Sequence, residues 1–178
     1  MNDIADILFE DDRWKSIGLE HLANKAFATV LLNLNLSLDW EVSVLACDDT
    51  KIANLNDEFR KKSKATNVLS WPSYDLKAKS IGGVPGTPNV NEIYDNLLGD
   101  IAISFDTCEY EANAAHITLV DHTAHLLVHG CLHLLGYDHE NDADAQLMEE
   151  LESRLLKGMG ITDPYENKQT DRCNFGKN

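Results

Sequence analysis

The stretch His129-Gly-Cys-Leu-His133-Leu-Leu-Gly136-Tyr-Asp-His139 constrains this chain more than any other. Two histidines four residues apart on a helix project from one face, one above the other, so their imidazoles can converge on a single ion. Gly136 can take the left-handed conformation that ends a helix, which turns the chain so that His139 reaches the same point from outside. Three neutral imidazoles suit zinc, and with no fourth protein ligand they leave a position open for water, as catalytic sites do. The stretch therefore predicts one zinc ion per chain, held by His129, His133 and His139. Nitrogen-only ligands would also accept nickel or copper.

The same spacing occurs in the metzincin proteases, but those have a glutamate directly after the first histidine, where this chain has Gly130. The usual protease base is absent. A proton acceptor must come from elsewhere, and Asp138 and Asp100 are the first candidates. Each also has a structural reading, Asp138 orienting a ligand imidazole and Asp100 shaping a strand entrance. Cys131, two residues from His129 on a helix, should face away from the metal as a small buried thiol.

A chain of 178 residues with 43% hydrophobic content is enough for one domain with its own core. No apolar run approaches the roughly 18 residues of a membrane helix, and the N-terminus has acids where a signal peptide has basic residues. A cytoplasmic, monomeric protein is expected. Cys47, Cys108, Cys131 and Cys173 form no C-x-x-C pair and read as free thiols. The net charge of −15 argues against a polyanionic partner. Its distribution tempers that, since Arg60, Lys61, Lys62 and Lys64 fall within five positions while acids crowd between Asp138 and Glu152. This basic run reads either as a phosphate-binding spot or as the solvated end of a helix.

Periodicity and turn signals predict a strand at 3–9, an amphipathic helix from Trp14 to about Leu34, and a strand from Trp40 to Ala46. A helix capped near Asp48 follows, with Ile52, Leu55 and Phe59 as its buried stripe, and then a strand over 66–72 stopped by Pro72. Residues 73–96 carry turn chemistry without periodicity and are expected to be a loop beside the cleft, mobile relative to the core and not itself catalytic. A strand at 97–105 leads to a helix capped by Asp106 or Thr107, and Asp121, His122 or Thr123 should cap the histidine helix. That helix should be buried over most of its circumference. A last helix runs through Ala143, Leu147, Leu151 and Leu155.

Four blocks, in order and spacing, carry a family resemblance: Leu55-Asn-Asp-Glu-Phe-Arg60, Thr66-Asn-Val-Leu-Ser-Trp-Pro72, Leu98-Gly-Asp-Ile-Ala-Ile-Ser104 and His129 to His139. With Gly160-Ile-Thr-Asp-Pro-Tyr165 as the close, the chain from about 40 to 165 resembles the YbeY family of bacterial rRNA maturation factors. Ser63 and Trp71 depart from the usual Asp and Phe of that family, and 73–96 is longer. The resemblance implies a single α/β (α+β) domain over 1–165, with about four strands in a small mixed sheet and five or six helices; the polar composition of 166–178 predicts a disordered tail. The resemblance also implies a zinc-dependent, single-strand-specific endoribonuclease of small-subunit (16S) rRNA maturation and ribosome quality control, working with the small ribosomal subunit and possible protein partners. In that reading His129, His133 and His139 hold the metal and Arg60 is the functional arginine. Arg60 would stabilise charge at phosphorus, and Lys61, Lys62 and Lys64 would extend its RNA contact. The rival readings are a zinc metalloprotease-like hydrolase and a ribosome-assembly binding factor with a mainly structural zinc.

Overall fold

The computed structural model describes residues 3–89 and 96–166. Four strands form one mixed sheet in the order β1-β2-β4-β3. β1 (Ala5–Phe9), β2 (Glu41–Cys47) and β4 (Leu97–Ser104) run parallel, and β3 (Val68–Pro72) lies antiparallel to β4 at one edge. Parallel neighbours require crossover connections, supplied by α1 (Leu19–Asn33) after β1 and α2 (Asp49–Arg60) after β2. α3 (Phe105–Ala114), α4 (Leu119–Leu134) and α5 (Asp142–Gly158) follow β4. A short 3-10 helix, Asp12–Ile17, precedes α1. This is the expected α/β architecture, a four-stranded mixed sheet with six helical segments among the described residues.

The element that places the site is α4, which packs on β3, β4, α1, α3 and α5. Ala124, Leu127, Val128, Cys131 and Leu132 are buried on it, so it is apolar around most of its surface, as a central helix must be. Burying Leu127 or Leu132 fully contributes about 1.5–3 kcal/mol each relative to exposure. The main core lies between α1, α4, α5 and one face of the sheet, and a smaller cluster of Cys47, Ile52, Leu69 and Ala102 lies under α2 on the other face. Gly130 marks the close approach of α4 to β4, because a Cβ there would stand 3.0 Å from Ile101 Cδ1. The three described cysteines are free and buried, and burial raises the Cys131 thiol to about 12.

Several boundaries differ from those read off periodicity. The helix expected from Trp14 onward is two pieces, because Gly18 adopts φ 67 and ends the 3-10 helix before α1 begins. Phe59 is 58% exposed rather than part of the buried stripe, whose inner positions are Ile52 and Asn56. The caps also move. Ser104, not Asp106 or Thr107, is the N-cap of α3, and Thr118 caps α4 by accepting from Asp121 N–H at 3.0 Å. Because α4 starts earlier, His122 and His125 are helical and share the stripe of His129.

Residues 73–77 lie beside the cleft, as expected of the segment's start. Ser73, Tyr74, Asp75, Leu76 and Lys77 line the cleft beside the histidines, and Gly82 N–H donates to Asp144 at 2.6 Å on α5. Residues 90–95 of that segment, and 167–178 of the tail, lie outside the described residues.

Candidate metal centre

His122, His125, His129 and His133 recur at three- and four-residue steps and therefore stand in a row along one stripe of α4. The helix ends at Leu134 with Leu135 as its C-cap, and Gly136 at φ 89 turns the chain out. No side chain fits at 136, since a Cβ would fall 2.6 Å from the carbonyl carbon of Leu76. The turn brings His139 back, so that His129, His133 and His139 offer ligand atoms all within 4.8 Å of one another. The His129 and His133 Nε2 atoms are 3.0 Å apart. Two nitrogens bound to one tetrahedral zinc at about 2.0–2.1 Å would be about 3.3 Å apart.

The outer nitrogens of these rings specify their tautomers. His133 Nδ1 is 3.0 Å from the Tyr137 carbonyl, which can only accept, so Nδ1 carries the proton. His129 Nδ1 is 2.6 Å from Glu152 Oε1. Burial opposes ionisation of Glu152, but the hydrogen bonds from His125 and His129 outweigh it and bring its pKa down to about 2. Facing a carboxylate, His129 also carries its proton on Nδ1. With Nδ1 of each ring engaged outward, the two Nε2 atoms face each other at a separation that a shared cation bridges. The donor set fits a metal ion. Burial, and then the neighbouring His129 and His139, push His133 down to about 4, so it is neutral near neutral pH, as a ligand must be.

Glu152 is the residue that the sequence reading missed. It is fully buried on α5 and accepts from three groups: the His129 ring, the His125 ring at 3.1 Å and the Tyr165 hydroxyl. A carboxylate bonded to a ligand's outer nitrogen fixes the ring and raises its basicity. A signal for it existed, because Met148, Leu151, Glu152 and Leu155 form one buried helical stripe and a glutamate inside such a stripe needs partners. Asp138 does not orient an imidazole. Its carboxylate accepts from the His139 backbone N–H at 2.7 Å and from Lys77 Nζ at 3.0 Å, so it shapes the turn that delivers His139. Burial raises the Asp138 pKa, but these two donors prevail and hold it below the usual range.

Asp100 is exposed, and the strand alternation that points Ile101 at α4 turns Asp100 to the opposite face of the sheet. It is not among the residues lining the cleft. The position of the protease glutamate, Gly130, likewise faces Ile101 rather than the cleft.

The cleft has two lobes, of about 740 and 440 Å³, that share Arg60, Ser70, His133 and His139. The histidines therefore sit where the lobes meet. Arg60 is the last residue of α2, which ends because Lys61 adopts φ 57. Among the described residues Arg60 makes no ion pair, and it is exposed at the junction. Of the other basic residues in the run, Lys62 lines the larger lobe and Lys61 and Lys64 do not. Lys77, from the segment after β3, does, and periodicity offered no reason to single it out.

Fold and site together define a class: an α/β protein in which a buried helix and the turn after it bring together three histidines that could hold a metal ion, opening into a cleft edged by arginine and lysine. A family model described as "Endoribonuclease YbeY" matches residues 7–160, and the chain belongs to that family. It is 55% identical over 163 residues to the Endoribonuclease YbeY of Ruegeria sp. (strain TM1040), covering 91% of this chain and 96% of the relative. It is 51% identical over 161 residues to that of Ruegeria pomeroyi, covering 90% and 96%. The solution structure of TM1509 from Thermotoga maritima has the same fold, with a TM-score of 0.57 and 21% identity over 94% of this chain and 93% of that one.

Proposed function

We propose that the protein is a zinc-dependent endoribonuclease that cuts single-stranded RNA and acts in small-subunit rRNA maturation and ribosome quality control. The observation that carries this reading is the pair of Nε2 atoms 3.0 Å apart, both rings protonated on the outer nitrogen, at the junction of a groove edged by Arg60. His129, His133 and His139 would hold the ion, which when bound supplies a Lewis acid and a water of lowered pKa. Glu152 and the Tyr137 carbonyl keep the two helical ligands in their binding tautomers. Arg60 meets two phosphoryl oxygens and offsets the charge that grows on them as the attacking oxygen approaches phosphorus. Asp138, one of the carboxylates lining the larger lobe and the chain neighbour of His139, would take the proton. Asp100, on the other face of the sheet, drops out of that role.

A protease-like reading is weaker, because position 130 lacks the glutamate and faces the sheet. The acidic body suits docking of basic ribosomal proteins, which would bring a small RNA-binding lip to its target. Cleavage of a single-stranded RNA by metal-loaded, metal-depleted and His133→Ala protein tests the reading. Activity should follow the metal, and Arg60→Ala should lower turnover more than affinity. Undiminished cleavage by His133→Ala, or an Arg60→Ala protein with full turnover, would overturn it.

A further inference from the structure

Two aromatic rings meet at the edge strand β3, on the face turned toward α2: Trp71 packs partly on the small cluster there, and Phe59 is left open to solvent. Phe59 and Trp71 meet edge to face with centroids 5.5 Å apart, on the side of β3 turned toward α2. The other tryptophan-centred pairs, Trp14–Phe105 and Trp40–Tyr74, each bury their tryptophan, at 0% and 2% exposure. Phe59 instead presents more than half of its surface to solvent and Trp71 is partly open. Both are chain neighbours of cleft residues. Phe59 immediately precedes Arg60, and Trp71 stands between Ser70 and Pro72.

We propose that Phe59 and Trp71 form a stacking platform for a base of single-stranded RNA, the base of a nucleotide flanking the one held at Arg60. The inference rests on the RNA reading above and adds a subsite to it. Charge selects this occupant. Arg60, Lys61, Lys62 and Lys64 follow Phe59 in the chain and are exposed, and among the described residues none of them makes an ion pair. The chain as a whole carries −15, so a polyanion is held off elsewhere and admitted at this corner. A strand whose phosphate meets Arg60 has its next base within reach of the adjoining Phe59 ring, and an aromatic face stacks any base without regard to sequence. Bases paired in a duplex are stacked on one another and cannot turn onto the platform, so the rings would also select for unpaired RNA.

The tryptophans make this measurable. Trp14 and Trp40 are buried, so quenching by a stacked base reports on Trp71. Stopped-flow fluorescence within the first turnover, with a short single-stranded oligoribonucleotide, should show quenching that a duplex or an abasic strand of equal length does not produce. Trp71→Phe should abolish the signal. Phe59→Leu keeps an apolar side chain without a stacking face, and should weaken binding of the oligonucleotide about tenfold. The same substitution should leave binding of the abasic strand unchanged. Equal quenching by the abasic strand, quenching that survives Trp71→Phe, or a Phe59→Leu protein that binds as wild type would each overturn the platform. Because wild-type cleavage is followed on the same samples, failure of the platform alone leaves cleavage of the RNA intact. A wild-type protein that neither binds nor cleaves removes the RNA reading and the platform with it.

Discussion

Glu152 is a carboxylate with no exposed surface, held ionised by two imidazoles and a tyrosine hydroxyl. Its charge matters to His129 more than its shape does, because an anionic acceptor makes the opposite nitrogen a stronger donor to a metal. Glu152→Gln keeps the volume and an acceptor oxygen but removes the charge. The expected result is a loss of about 10- to 100-fold in metal affinity with the fold retained, read by metal titration alongside circular dichroism. An unchanged affinity would make Glu152 a packing residue. Gly136 is constrained twice, by its φ of 89 and by the Leu76 backbone lying against it. The first constraint is written in the local sequence, as the glycine that ends a helix. The second comes from a segment sixty residues away in the chain, which no local pattern could foretell.

At the scale of elements, the sharpest contrast lies in the basic run after α2. Lys61 reverses the chain at φ 57 and points its ammonium back to the Glu58 carbonyl, 3.3 Å away, whereas Lys62 lines the cleft. The two lysines should therefore separate in a salt series. Lys62→Ala should reduce the slope of log affinity against log salt by about 0.7, the value for one phosphate on a single strand, and Lys61→Ala should leave it unchanged. Equal slopes for the two variants would place the strand elsewhere. A second junction ties the 3-10 helix to α3. Arg13 bonds Asp11 and Asp106, 2.8 Å to the latter, and lies 4.5 Å over the Phe105 ring. Its hydrogen bonds lower both carboxylates below their ordinary values. A depressed acid contributes stability that is present above the unfolded pKa, about 3.9, and is lost as pH falls through the folded value. Arg13→Ala should therefore cost about 1 kcal/mol near neutral pH, solvent screening keeping it small. The difference from wild type should shrink below about pH 4. Urea melts of both proteins across that range check the sign, and a difference that grows in acid would contradict it.

Across the whole molecule, the site is a junction of parts distant in the chain: α4 and its turn supply the rings, α5 the carboxylate, α2 the arginine, and β3 with the segment after it the walls. A ligand that binds only the assembled site stabilises the fold by mass action, by about 2.7 kcal/mol at a hundredfold excess over Kd. Chelation should lower the melting temperature of the wild-type protein and leave a His129→Ala, His133→Ala variant unmoved. An equal drop in both would point to metal held elsewhere. None of the described helices is long and apolar enough to cross a membrane. What the sequence determined by itself was whatever one element or one turn encodes. That covers the three histidines, whose spacing is one helix face and one left-handed turn, the buried character of α4, the strands, and the arginine that ends α2. Tertiary structure alone decided the rest: Glu152 rather than Asp138 against an imidazole, Asp100 on the wrong face, Gly130 against Ile101, Lys77 in the cleft wall and Phe59 left in solvent. The physical reason is that periodicity says which residues share a face but not which surface that face will meet. That meeting depends on side chains, helix starts and strand register set far away in the chain.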